Sequence, residues 1–97
     1  MKYSEVIKSQ LSNALPRLKQ TYHIERIALF GSVTRDDFNP SESDIDIMVE
    51  LNGEPGYEFI ELAEELERLF NKKVDLVSRK ALKPYQWQFL ESKMIYV

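Results

Sequence analysis

The sequence predicts an α+β fold, α/β-like in its element order, with a small mixed β-sheet packed with helices. Three observations point there. "YEFIELAEELERLFN" (57–71) sets Phe59, Ile60, Ala63, Leu66, Leu69 and Phe70 along one helical stripe. "DIDIMVEL" (44–51) alternates, so Ile45, Ile47, Val49 and Leu51 share one face, while Asp44, Asp46, Met48 and Glu50 share the other. "RIALF" (26–30) and "KKVDLVS" (72–78) are short apolar runs bounded by polar punctuation, as buried strands are.

Taken in order, residues 4–22 read as helical, with Val6, Ile7, Leu11, Leu15 and Leu18 at helical spacing and Ser4 as N-cap. Pro16 interrupts that pattern, so a kink or two shorter helices are expected, with Ser12 or Asn13 capping the second. The strand at 26–30 ends on Gly31, and the alternating strand follows a polar loop. "NGEPG" (52–56) is turn punctuation before the amphipathic helix. After the third strand, "RKALKP" leads to a last helix starting near Pro84, where proline suits the first turn. "MIYV" (94–97) reads as an edge strand. With no repeat or linker, residues 1–97 are expected to form a single domain.

Apolar content of 43% argues against disorder, and no run approaches the ~18 apolar residues of a membrane helix. "MKYSEVIKSQ" lacks a signal peptide's apolar stretch, so a cytoplasmic, soluble protein is expected. Without cysteine there is no disulfide frame and no thiolate metal site. Thirteen basic residues against sixteen acidic ones leave a net charge of −3, which disfavours a grip on long nucleic acid. The balance suits a small anion held through metal ions, or a protein partner.

The chemistry concentrates between Ala28 and Leu51. Asp44 and Asp46, two apart on a strand, point to one face about 6.5 Å apart. At an effective dielectric of 20 their charges repel by about 2.5 kcal/mol. A divalent cation between them removes that cost, and magnesium favours one or two carboxylates with water and phosphate completing its octahedron. Asp75, within "KVDLV", completes a carboxylate triad if its strand neighbours theirs, enough for a two-metal site. Gly31-Ser32 follows directly on a strand, where glycine admits a phosphate and the serine hydroxyl and nearby N–H groups can donate to it. Arg35 is placed to add a charge-assisted contact.

"FGSVTR", then "SDIDIMV", then a lone aspartate in "VDLV" resemble the minimal nucleotidyltransferase family, small members of the polymerase-β-like superfamily. The resemblance covers nearly the whole chain and implies a palm-like nucleotidyltransferase fold. By it, Gly31 and Ser32 match the phosphate-binding turn, Asp44 and Asp46 the metal-binding pair, and Asp75 the third carboxylate. It also implies two magnesium ions and transfer of a nucleoside monophosphate from ATP or another nucleoside triphosphate to an acceptor hydroxyl. Family members are commonly paired with a small helical HEPN protein in toxin–antitoxin modules, so a tyrosine of such a toxin is the implied acceptor. One position departs: where the family often has glycine after the arginine, this chain has Asp36, followed by Asp37.

Two other functions compete. One is a catalytically silent antitoxin that neutralises its partner by contact; the other is transfer to a small molecule with a separate chain supplying its site. A homo-oligomer is left open. Elsewhere simpler roles are expected: a helix-end or packing role for His23, and core or partner contact for Tyr85, Trp87 and Phe89. Arg79, Lys80 and Lys83 read as a solvated loop, and Glu61, Glu64, Glu65 and Glu67 as the wet side of a helix.

Overall fold

Helix α1 runs from Tyr3 to Tyr22 and turns Ile7, Leu11, Leu18 and Tyr22 inward. The structure, a computed structural model, describes residues 2–35, 38–53 and 56–97. The expected break at Pro16 does not occur: α1 is one helix, so neither Ser12 nor Asn13 caps a second one. Ser12 and Pro16 are both exposed, so water can serve the carbonyl that loses its partner, while fully buried Leu11 and Leu18 anchor the helix on either side. The N-cap is Lys2 rather than Ser4. His23 closes the helix in the left-handed region at φ 51°, a helix-end role as expected.

Strand β1 (Ile24–Phe30) leads through a 3₁₀ turn (Gly31–Thr34) and a loop to β2 (Ile45–Leu51). Helix α2 (Tyr57–Phe70) connects β2 to β3 (Val74–Ser78). A 3₁₀ turn at Arg79–Ala81, helix α3 (Pro84–Leu90), a turn at Glu91–Lys93 and β4 (Ile95–Tyr96) complete the order. Among the described residues the sheet runs β3-β2-β1-β4. β1 pairs antiparallel with β2 and β4, whereas β2 and β3 run parallel, the crossover being supplied by α2. The sheet is therefore mixed, and "MIYV" does supply an edge strand.

The alternation in β2 sorts its residues as expected. Ile45, Ile47, Val49 and Leu51 join Ile27 and Leu29 of β1 in one core with the inward residues of α1 and α2. Asp46 and Glu50 remain partly accessible on the other face, but Met48 between them is fully buried, as is its β1 neighbour Ala28. That second face is thus covered at its middle and open at the Asp46 end.

In α2 the buried stripe is Leu62, Leu66 and Phe70, with Phe59 and Leu69 alongside. Ile60 is 56% exposed. At 100° per residue Ile60 lies about 200° from Leu62, so one helix cannot bury both. Two of the four glutamates expected to face water are structural instead. Glu67 accepts the Val74 N–H at 3.0 Å, and Glu65 accepts from Arg17 and from the Tyr22 hydroxyl, tying α1 to α2. The hydrogen bond to Glu65, helped by burial, pushes Tyr22 up to about 12, while that bond and the Arg17 contact hold Glu65 below the usual carboxylate range.

A depressed carboxylate stabilises the fold above its unfolded pKa and loses that contribution as pH falls through the folded value. Tyr22→Phe is therefore expected to cost about 1 kcal/mol at pH 7, or roughly 4–8 °C in melting temperature. The difference from the parent should shrink in acid, once Glu65 is protonated, in thermal melts run from pH 7 to pH 3. Among the described residues no helix is long and apolar enough to cross a membrane.

Candidate active site

The site is built where β1 ends. Gly31 takes φ +71°, a backbone region that side-chain-bearing residues rarely adopt. The turn it opens is closed by the Thr34 hydroxyl, which donates to the Gly31 carbonyl at 2.7 Å, and by the Arg35 N–H, which donates to the Ser32 carbonyl at 3.0 Å. Val33 is fully buried beneath and pins the turn to the core. The first N–H groups of such a turn have no acceptor within the turn itself.

Gly31 is needed for a second reason. A Cβ there would land on the Asp46 Oδ2 and come within 3.1 Å of its carboxyl carbon. Only an unsubstituted backbone lets the turn and the carboxylate lie against each other.

Asp46 sits opposite Phe30 across the β1–β2 pair and beside Asp75 across the parallel β2–β3 pair. Adjacent strands lie about 4.8 Å apart and paired residues point to the same face, so Asp46 and Asp75 are lateral neighbours. Asp44 immediately precedes β2, two residues from Asp46. Asp44 and Asp75 are exposed, whereas Asp46 is half-buried between the turn and the sheet. Burial raises the Asp46 carboxyl above its ordinary range, and the charges of Asp75 and then Asp44 raise it further, with Arg35 acting in the opposite direction. Asp44, Asp46 and Asp75 thus gather beside Gly31-Ser32, and the Arg35 charge reaches the same place. Asp36 and Asp37 lie outside the described residues.

Among the described residues no three acidic, histidine or cysteine side chains are already closed around a metal position. Magnesium does not require such a cage, because it retains waters and takes phosphate oxygens. The donor set fits that mode: hard oxygen ligands, one held against two like charges that a cation would relieve.

The basic run behaves differently from the turn. Arg79 stacks on Trp87 at 4.0 Å and the Lys80 ammonium donates to the Gly53 carbonyl at 2.8 Å, so both have structural partners. Tyr85 and Phe89 are each 66% exposed, which excludes the core role for them. Sequence reasoning missed one arrangement. Phe89 and Leu90 of α3, with Lys93 just beyond, face Gly31, Thr34 and Arg35 across a cleft of about 410 Å³. The only hint in the sequence was an aromatic followed four residues later by a lysine, on a helix too short to show a stripe.

The sequence profile described as "Nucleotidyltransferase domain" matches residues 9–97. The chain belongs to this family. It is a nucleotidyltransferase by that membership and by its relatives. A Methanocaldococcus jannaschii protein, provisionally named protein adenylyltransferase MJ1379, is 43% identical over 101 residues, spanning 100% of both chains. Protein adenylyltransferase MntA of Thermococcus cleftensis is 34% identical over 94 residues, covering 96% of this chain and 94% of that one. The solved structure of a provisionally assigned minimal nucleotidyltransferase superposes with a TM-score of 0.79 at 26% identity, over 95% of this chain and 93% of the other. A chain of the Shewanella oneidensis complex between a tri-AMPylated HEPN toxin and MNT antitoxin matches at TM-score 0.66 and 22% identity, over 96% and 70%. That last likeness speaks for the fold alone.

Proposed function

We propose that this nucleotidyltransferase moves AMP from ATP to a hydroxyl on a protein acceptor, a tyrosine of a HEPN-type toxin, and so acts as the antitoxin. The observation that carries the reading is the lateral pairing of Asp46 with Asp75, with Asp44 alongside, against a glycine turn that admits a phosphate. Protein adenylylation is the activity named for MntA of Thermococcus cleftensis, and it enters here on that relationship.

In this reading Gly31, Ser32 and Arg35 hold the phosphates. Asp44, Asp46 and Asp75 hold two magnesium ions, which when bound neutralise phosphate charge and favour attack at phosphorus. Asp75, the most exposed end of the pair, takes the proton of the acceptor hydroxyl. The acceptor oxygen bonds to the α-phosphorus as the bond from that phosphorus to the β-phosphate bridging oxygen breaks, and pyrophosphate leaves. No covalent enzyme intermediate is required, since positioning and charge neutralisation supply the rate. Residues 1–97 act as one domain, in the cytoplasm where ATP is available.

Incubation with α-labelled ATP, magnesium and the HEPN partner is expected to label the partner and leave it non-toxic. Labelled small molecule with unlabelled protein would instead establish transfer to a small acceptor. Neutralisation without any label would establish contact as the mode of action.

A further inference from the structure

Phe89 and Lys93 are not absorbed by the carboxylate site, yet they border it. Gly31 is the shared wall: its Cβ direction meets Asp46, and the residue also lines the cleft formed with Thr34, Arg35, Phe89, Leu90 and Lys93. That cleft has two chemistries. Its turn side carries Gly31, Thr34 and two cations, Arg35 and, from beyond α3, Lys93; its α3 side carries Phe89 and Leu90. A long anion with a flat apolar end matches both halves.

We infer that this cleft seats the nucleoside end of the triphosphate, with Phe89 as the stacking platform for the base and Lys93 as a phosphate contact. The inference rests on the nucleotidyltransferase reading and names residues of the same site. Phe89 suits the role because it is two-thirds exposed, with nothing in the core to gain from its ring. Its exposure beside a cationic turn leaves a purine a face to cover. The Lys93 ammonium rests 3.6 Å from the Phe89 ring centre. At an exposed site such a contact is weak, so a phosphate competes for the ammonium readily. Lys93 lies about one helical turn beyond Phe89, which lets one short segment serve both ends of the ligand.

The six lining residues put no amide or carboxylate at the apolar end of the cleft. The Thr34 hydroxyl is engaged with the Gly31 carbonyl. The base is therefore held by its face rather than read by its edge, and purine triphosphates should bind alike, with pyrimidine triphosphates weaker.

Calorimetry with magnesium and no protein acceptor tests this, using ATP and inorganic triphosphate as separate probes. Phe89→Ala should weaken ATP by about ten-fold, the loss of one base–aromatic stack, and leave inorganic triphosphate unchanged. Phe89→Trp should restore ATP. Lys93→Gln should weaken both probes by a similar factor of about five. Parental affinity for ATP in Phe89→Ala overturns the platform, and parental affinity for both probes in Lys93→Gln overturns the phosphate contact. An equal loss of both probes in Phe89→Ala also overturns the platform, since the ring would then be shaping the turn. If the parent chain binds neither probe, the nucleotidyltransferase reading itself falls, and this inference with it.

Discussion

Replacing Asp44 and Asp46 together by asparagine is expected to lower AMP transfer by at least about 10³-fold while making the metal-free chain more stable. Both effects have one cause. Asparagine keeps the shape of aspartate but not its charge, so the charges proposed to hold magnesium are lost and the repulsion among Asp44, Asp46 and Asp75 is relieved. The pH dependence follows from the raised Asp46 carboxyl. A carboxylate whose folded pKa lies above its ordinary 3.8 destabilises the fold fully above the folded value and not at all below the unfolded one. The gain from Asp46→Asn should therefore be largest near neutrality and fade as pH falls toward 3.8. Magnesium with ATP should reverse the ranking, raising the melting temperature of the parent and leaving the double variant unmoved. Melts with and without ligand, beside the labelling assay, measure all of this. A double variant that melts lower than the parent in metal-free buffer would mean that the three acids are not in electrostatic conflict.

The clustering of the candidate site's residues was more legible than its surroundings because local spacing is constrained by covalent geometry. On an alternating strand every second residue shares a face, which sets Asp46 apart from the core-facing isoleucines, and Asp44, expected on that strand, falls just before its first residue. Asp75 needed one further fact, that β3 lies parallel and in register with β2, and the amphipathic helix between them made that arrangement the natural one. What stayed hidden depended on tertiary context. Whether Pro16 breaks α1 depends on which side of the helix it falls, and Pro16 and Ser12 both lie on the exposed side. Ile60 and Leu62 are both plausible inward residues of α2 until the sheet selects a side. Met48 is buried within a face otherwise carrying acids, and the approach of Phe89 and Lys93 to the Gly31 turn comes from how the C-terminal segment packs. No local periodicity encodes that approach, since α3 has barely two turns.

Gly31→Ala is the substitution expected to damage fold and chemistry at once. The methyl group meets two objections. The backbone at φ +71° strains any side-chain-bearing residue, and the added carbon overlaps the Asp46 carboxylate. Together these should cost on the order of 3 kcal/mol of stability. Whatever relaxation follows must move either the Gly31 turn or Asp46, and a displacement of about 1 Å at a reacting centre can cost roughly 10²-fold in rate. The two objections can be separated with a double-mutant cycle against Asp46→Ala. Removing the carboxylate eliminates the overlap with Oδ2 and leaves only the Asp46 Cβ, 3.3 Å from the new methyl position. In that background Gly31→Ala should retain its backbone penalty and lose most of its steric one. A coupling of about 1 kcal/mol or more is then expected between two residues on separate strands' ends. Strictly additive losses in urea unfolding would mean that the turn and the carboxylate do not touch, and the contact that organises the candidate site would have to be abandoned.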